Sequence, residues 1–213
     1  MPGADIVVEK DPTPVVLGVA GTLKRSAANR RLARTLGRLS GVLALRSSVD
    51  RQAVTVRFRR GRVEVGRGAA ADADLVITLD FNNMSGPDAP SPKIKGAVRH
   101  PVLALGVARV MEPPTGTWQQ EAAEFWAFAR DAERMPRSLR VVCTDDGAEL
   151  DLGEPGEPDY EVQGSAAALK SVFSGSSILG EDFLAGKIKA VGNFEHASVL
   201  TGRSIAWVMG EGR

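Results

Sequence analysis

The feature that most restricts how this chain can fold is that it states one pattern twice. A first passage runs Val54-Thr-Val-Arg-Phe-Arg-Arg-Gly61-Arg-Val-Glu-Val-Gly66, continues through Ala73-Asp74-Leu-Val-Ile-Thr-Leu79 and Lys93-Ile-Lys-Gly96, and closes on an apolar run to Met111. The second runs Val141-Val-Cys-Thr-Asp-Asp-Gly147-Ala-Glu-Leu-Asp-Leu-Gly153, then Asp159-Tyr-Glu-Val-Gln163 and Lys187-Ile-Lys-Ala-Val-Gly192, with an apolar run to Met209. Gly61 and Gly147 lie 86 residues apart, Gly66 and Gly153 lie 87 apart, and the Lys-Ile-Lys segments 94, so insertions separate matched elements. The only two histidines keep step, as Gly96-Ala-Val-Arg-His100 and Gly192-Asn-Phe-Glu-His196. A period of about ninety residues exceeds the repeat of a solenoid and suits a duplicated supersecondary module. The expected organisation is a flexible N-terminal arm over 1–16, a first module over 17–111 and a second over 112–213.

A length of 213 residues, 43% of them hydrophobic with charges of both signs, is ordinary globular composition and excludes a disordered or collagen-like chain. One cysteine, Cys143, rules out an internal disulfide framework and fits a reducing compartment. No leader-like segment and no apolar run of about eighteen residues is present, so a soluble cytoplasmic protein is expected. The net charge of +1 hides an asymmetry: residues 1–111 hold 18 Lys/Arg against 9 Asp/Glu, and residues 112–213 hold 9 against 17. Opposite charge on the two halves favours their docking, within the limits of salt screening.

Leu32, Leu36, Leu39 and Leu43 fall on one helical face, which predicts a basic amphipathic helix from about Ala27 to Arg46. Arg30, Arg31, Arg34 and Arg38 on it suit an anionic membrane surface or an acidic protein, or simply a solvated face. Alternation at Val54, Val56, Phe58 and then Val63, Val65 predicts a hairpin turning at Arg59-Arg60-Gly61. Leu75–Leu79 is apolar on consecutive positions, the mark of a strand covered on both faces. Three prolines and a glycine between Ser85 and Pro92 exclude helix and central strand there. Val102–Met111 reads as a helix buried on most sides, opened by Pro101. In the second half a helix carrying the stripe Trp118, Ala122, Phe125, Trp126 and Ala129, and ended by Met135-Pro136, precedes a hairpin at Asp145-Asp146-Gly147 and a strand from Asp159 to Gln163. A helix capped by Ser165, a short helical turn over 181–185, a strand from Lys187 to Val191 and a closing helix from about Glu195 to Met209 complete it.

Catalytic signatures are sparse. The chain lacks a glycine-rich phosphate loop, a His-Glu-x-x-His motif and a nucleophile elbow. With one cysteine and two histidines, a zinc site would need carboxylates for most of its ligands, so no metal is expected. His100 and His196 sit where the two apolar helices begin, placed either as acid–base groups or as polar groups meeting helix-start amides. Asp145-Asp146 is turn chemistry. Basic residues without stacking aromatics in the first half argue against nucleic acid.

From residue 137 onward the order of elements is more specific. An edge hairpin, an Asp-led strand, a helix of the form Ala-x-x-Leu-x-x-Val-Phe-x-Gly, the run Phe183-Leu-Ala-Gly-Lys-Ile-Lys-Ala-Val-Gly192 and a terminal apolar helix together resemble the sterol carrier protein type 2 family. The resemblance covers 137–210 well and 52–111 in part, because Pro87 to Pro92 replaces a helical pair. It implies an α/β (α+β) fold, a mainly antiparallel sheet with helices on one face, in two tandem modules. It also implies binding of a lipid, sterol or other hydrophobic small molecule, without a cofactor, in an apolar cavity between sheet and C-terminal helix. Carried over position by position, the wall residues are Val172, Phe173, Phe183, Leu184, Ile188, Val191, Phe194, Leu200 and Trp207, with Asn193 or His196 orienting a head group. Two other functions remain open: a cyclase or isomerase using His100 or His196 in the same cavity, and a scaffold docking through the basic helix.

Overall fold

A computed structural model of the chain describes residues 4–81, 91–112 and 116–211. These fall into two compact units, one up to residue 112 and the other from residue 116. Both are mixed α/β. The first unit runs β1 (Asp5–Val8), α1 (Pro14–Ala28), α2 (Arg30–Leu36), β2 (Ser40–Ser47), β3 (Ala53–Arg59), β4 (Arg62–Arg67), β5 (Leu75–Leu79), β6 (Lys93–Lys95) and α3 (Pro101–Met111). Its sheet has the order β1-β4-β3-β2-β5-β6, antiparallel except for β1 with β4 and β2 with β5. Arg60 and Gly61, both at positive φ, form the β3–β4 turn, as a right-twisted two-residue hairpin requires.

Alternation sorts the faces of this sheet. Leu43, Leu45, Val54, Val56, Phe58, Val63, Val65 and Leu75 share one core with Val16, Ala20 and Leu23 of α1 and Leu103, Val107 and Val110 of α3. Arg57, between two of the core positions, pairs instead with Asp72 on the outer face. Ser26 is buried, and its hydroxyl donates to the Val110 carbonyl at 2.5 Å, tying α1 to α3.

Three expectations are corrected in this unit. Residues 1–16 are not an arm throughout, because Asp5–Val8 pairs in parallel with β4 and α1 starts at Pro14. The basic helix expected over 27–46 is α2 alone. Arg30, Arg31 and Arg34 lie on it, exposed, and Arg38 follows its Gly37 cap, while Ser40–Ser47 is the strand between β3 and β5. Leu43 continues the leucine spacing but satisfies the sheet, since Leu43, Ala44 and Leu45 are all buried. Finally, Val76, Ile77, Thr78 and Leu79 are half-buried, so β5 is not covered on both faces. Of the proline-rich stretch read before β6, residues 85–90 lie outside the described residues.

The second unit runs α4 (Trp118–Ala129), β7 (Ser138–Cys143), β8 (Glu149–Gly153), β9 (Tyr160–Gly164), α5 (Ala166–Phe173), α6 (Leu179–Leu184), β10 (Ile188–Gly192) and α7 (Phe194–Val208), with sheet order β10-β9-β7-β8. Thr117 and Gln120 form a capping box at α4, and Ser165 accepts from the Ala168 amide at α5. Leu139, Val141, Cys143, Tyr160, Val162 and Ile188 meet Trp118, Phe125 and Trp126 of α4, Leu169 and Phe173 of α5, and Leu200 and Trp207 of α7 in one core.

Each unit contains a central strand, β2 or β7. It pairs antiparallel with the next strand and in parallel with an Asp-led strand that in turn pairs with a strand from the Lys-Ile-Lys segment. The spacing of the paired glycines matches β3–β4 to β7–β8. The pairing is shifted by one strand, since β2 and not β3 lies beside β5.

Candidate functional site

The residues carried over from the resemblance divide into three groups. Val172, Phe173, Ile188, Leu200 and Trp207 belong to the closed core of the second unit. Phe183, Leu184, Val191 and Phe194 lie outside it. Leu184 is 86% and Phe194 87% exposed, and the other two are also classed with the exposed large apolar side chains. Asn193 caps α7, its Oδ1 accepting from the His196 amide at 2.7 Å while its Nδ2 meets His196 Nδ1 at 3.1 Å. The cavity residues expected on one wall are therefore split between the interior and the surface at the α6–β10–α7 junction.

This junction is firmly built. Asp182, buried at the end of α6, accepts from the Ser177 hydroxyl at 2.6 Å and from Lys187 Nζ at 3.2 Å, which fixes the turn into β10. The Ser204 hydroxyl accepts from the Leu179 amide at 3.1 Å, and Gly180 lies against Thr201, so α6 sits close on α7. Gly192, at φ +148, faces the Tyr160 ring so closely that any Cβ would overlap it.

A feature that sequence reasoning missed is the approach of His100 to the aspartate that leads β5; in the second unit His196 meets Asn193 and Tyr160, and Asp159 is held by Arg137. Asp74 Oδ2 accepts from the Val42 amide at 2.8 Å, and its Oδ1 lies 3.6 Å from His100 Nε2. Asp159 Oδ2 accepts from the Arg137 amide at 2.9 Å and from its guanidinium at 3.4 Å. His196 stands edge-on to Tyr160, with ring centroids 6.4 Å apart. The matched positions of Asp74 and Asp159, and of the two histidines, were the signal available in the sequence. Asp74 and His100 help line an open cleft of about 210 Å³ with Val76, Lys95, Gly96 and Arg99.

The Arg137 amide, then its guanidinium and the neighbouring charges, holds the Asp159 carboxyl below the ordinary carboxylate range. Because the folded-state value is depressed, the stability this provides is present above the unfolded value and is lost as pH falls through the folded one. Asp159→Asn is expected to lower Tm at neutral pH and to flatten the fall in Tm below about pH 4. Thermal unfolding across pH checks this, and an acid limb as steep as that of the wild type would refute the assignment.

Among the described residues there is no group of three metal-ligating side chains, and no helix is long and apolar enough to cross a membrane. The units thus define a mixed α/β protein, each with a mainly antiparallel sheet, and in the first unit the Asp-led strand and terminal helix bring Asp74 and His100 together. No protein-family model and no curated protein matches the chain. Among solved structures it is similar to the sterol carrier protein domain 2 of Helicoverpa armigera, at 20% identity over 45% of this chain and 95% of that one, with a TM-score of 0.33. It is also similar to the apo form of sterol carrier protein 2 from Yarrowia lipolytica, at 10% identity over 92% of this chain and 91% of that one, with a TM-score of 0.21.

Proposed function

We propose that the two units are related modules, and that the second binds and carries a hydrophobic small molecule of the lipid or sterol class. The observation that carries this reading is the apolar quartet Phe183, Leu184, Val191 and Phe194, left in water where α6 ends and α7 begins. Four large apolar side chains grouped on adjoining elements mark a contact surface far better than scattered exposed residues do. A ligand laid on them and admitted between α6 and β10 would meet Val172, Phe173, Ile188, Leu200 and Trp207 as its wall. His196, oriented by its Asn193 contact, would meet a polar head. Burial of ligand surface drives the binding, at about 25 cal/mol per Å².

Displacement of a fluorescent fatty acid tests this. Phe183→Asp with Phe194→Asp is expected to weaken binding by at least about tenfold, because a carboxylate would have to lose water against the ligand. Both side chains are exposed, so stability should change by less than about 1 kcal/mol. Unchanged affinity, or no displacement by any lipid or sterol with the wild-type protein, would refute the reading. A second reading, an acid–base enzyme of the cyclase or isomerase type, is favoured by one contact, the 3.6 Å approach of His100 to Asp74 in the open cleft. His100→Ala separates the two readings, since it abolishes turnover while leaving displacement intact.

A further inference from the structure

Helix α3 is apolar on the side turned away from its own core. Leu103, Gly106, Val107 and Val110 face inward, while Val98, Val102 and Leu105 are 96, 79 and 62% exposed. In sequence the exposed three are spaced i, i+4 and i+7. Val102 and Leu105 lie on the helix itself, whereas Val98 lies in the turn before it, ahead of the non-helical N-cap His100, whose amide donates to the Gly96 carbonyl. Arg109 extends the helical part of this face by one turn, so that Val102 to Arg109 spans about 10 Å.

The charge beside this face is mostly positive, with Asp74 in the adjoining cleft and Glu112 at the C-cap of the helix as the carboxylates. Residues 91–111 contain Lys93, Lys95, Arg99 and Arg109 and no Asp or Glu. None of these four cations has an ion-pair partner among the described residues, whereas Arg57, Arg62 and Arg67 of the same unit are each held by a carboxylate. Lys95 and Arg99 open onto the cleft beside Asp74, whose oxygens are already engaged by the Val42 amide and His100.

We propose that the first unit docks on an anionic phospholipid bilayer through this face, with Val98, Val102 and Leu105 entering the acyl boundary and the four cations meeting lipid phosphates. Unpaired cations rimming an exposed apolar helix face suit an interfacial helix on an anionic surface. Charge disfavours a two-fold pairing of this face with itself, which would bring the same unpaired cations together. Nucleic acid would leave the apolar line uncovered and finds no aromatic side chain there to stack on. The inference does not rest on ligand binding by the second unit.

Co-sedimentation of the full chain with vesicles tests it. Binding is expected to phosphatidylserine-containing vesicles and not to pure phosphatidylcholine, and to weaken at least about tenfold from low to high salt. Val102→Asp with Leu105→Asp, and separately Lys95→Glu with Arg99→Glu, should each lower partitioning at least about tenfold while circular dichroism stays unchanged. Arg30→Glu with Arg31→Glu and Arg34→Glu, on α2, should leave it within about threefold of the wild type. In Val102→Trp, tryptophan emission should shift to the blue on anionic vesicles. The proposal is overturned by equal binding to neutral vesicles, by no binding, by binding that survives Val102→Asp with Leu105→Asp, or by a dimer that this variant dissolves. Failure of fatty-acid displacement would leave it standing.

Discussion

Replacing Trp207 by alanine is expected to cost the protein about 3–5 kcal/mol, the range for removing a buried aromatic side chain. The indole lies in the core and donates through Nε1 to the Phe173 carbonyl at 2.7 Å. Its ring stands 5.0 Å from Phe128 and 6.1 Å, edge-on, from Phe125, which itself lies 5.6 Å from Phe173. The Arg203 guanidinium sits 4.1 Å over Phe128. One side chain therefore joins α4, α5 and α7 through apolar area, an aromatic cluster and a hydrogen bond. Trp207→Phe keeps most of the area but withdraws the donor, at a cost of about 1–3 kcal/mol. Denaturant unfolding ranks the two variants, and a loss below about 1 kcal/mol for Trp207→Ala would mean that the helices are held by other contacts.

The second large effect is expected at Gly96. Its φ of +92 is in the left-handed region, and a Cβ there would run into the Asp74 carbonyl oxygen, a backbone atom that cannot rotate aside. Strain of about 1–3 kcal/mol and overpacking of similar size predict a loss on the order of 2–6 kcal/mol for Gly96→Ala. Gly61, at φ +99 with open space around its Cβ position, isolates the first part alone. Thermal unfolding of the two variants should show Gly61→Ala as clearly the milder. Equal losses would remove the backbone contact from the account. The Gly96 carbonyl also accepts from the Arg99 and His100 amides, so Gly96→Ala should disturb the cleft as well as the fold.

The elements that were legible in the sequence combine strong periodicity with a clear local signal. Trp118, Ala122, Phe125 and Ala129 mark α4, Ser165 marks the start of α5, and the two Lys-Ile-Lys segments lie in β6 and at the start of β10. The failures have a common cause. Leu32 and Leu36 do lie on a helix, but Leu39 and Leu43 carry the same spacing past Gly37 into a link and a central strand, where sheet pairing on both sides overrides the period. Helix α1 was hidden by Gly18 and Gly21, although Val16, Val19, Ala20 and Leu23 form a regular buried stripe. At the candidate site, apolar character could not tell Ile188, which is buried, from Val191, which is exposed on the same strand. The partnership of Asp74 with His100 depends on how β5 meets the start of α3, a relation that no local pattern of residues encodes.

The outermost strands of the first sheet are its shortest. β6 has three residues with a lysine at each end, and β1 has four, running parallel to the hairpin it closes. A rim so brief and so charged gives a passing chain little backbone to add on to, which protects this sheet from stacking edge to edge into fibres.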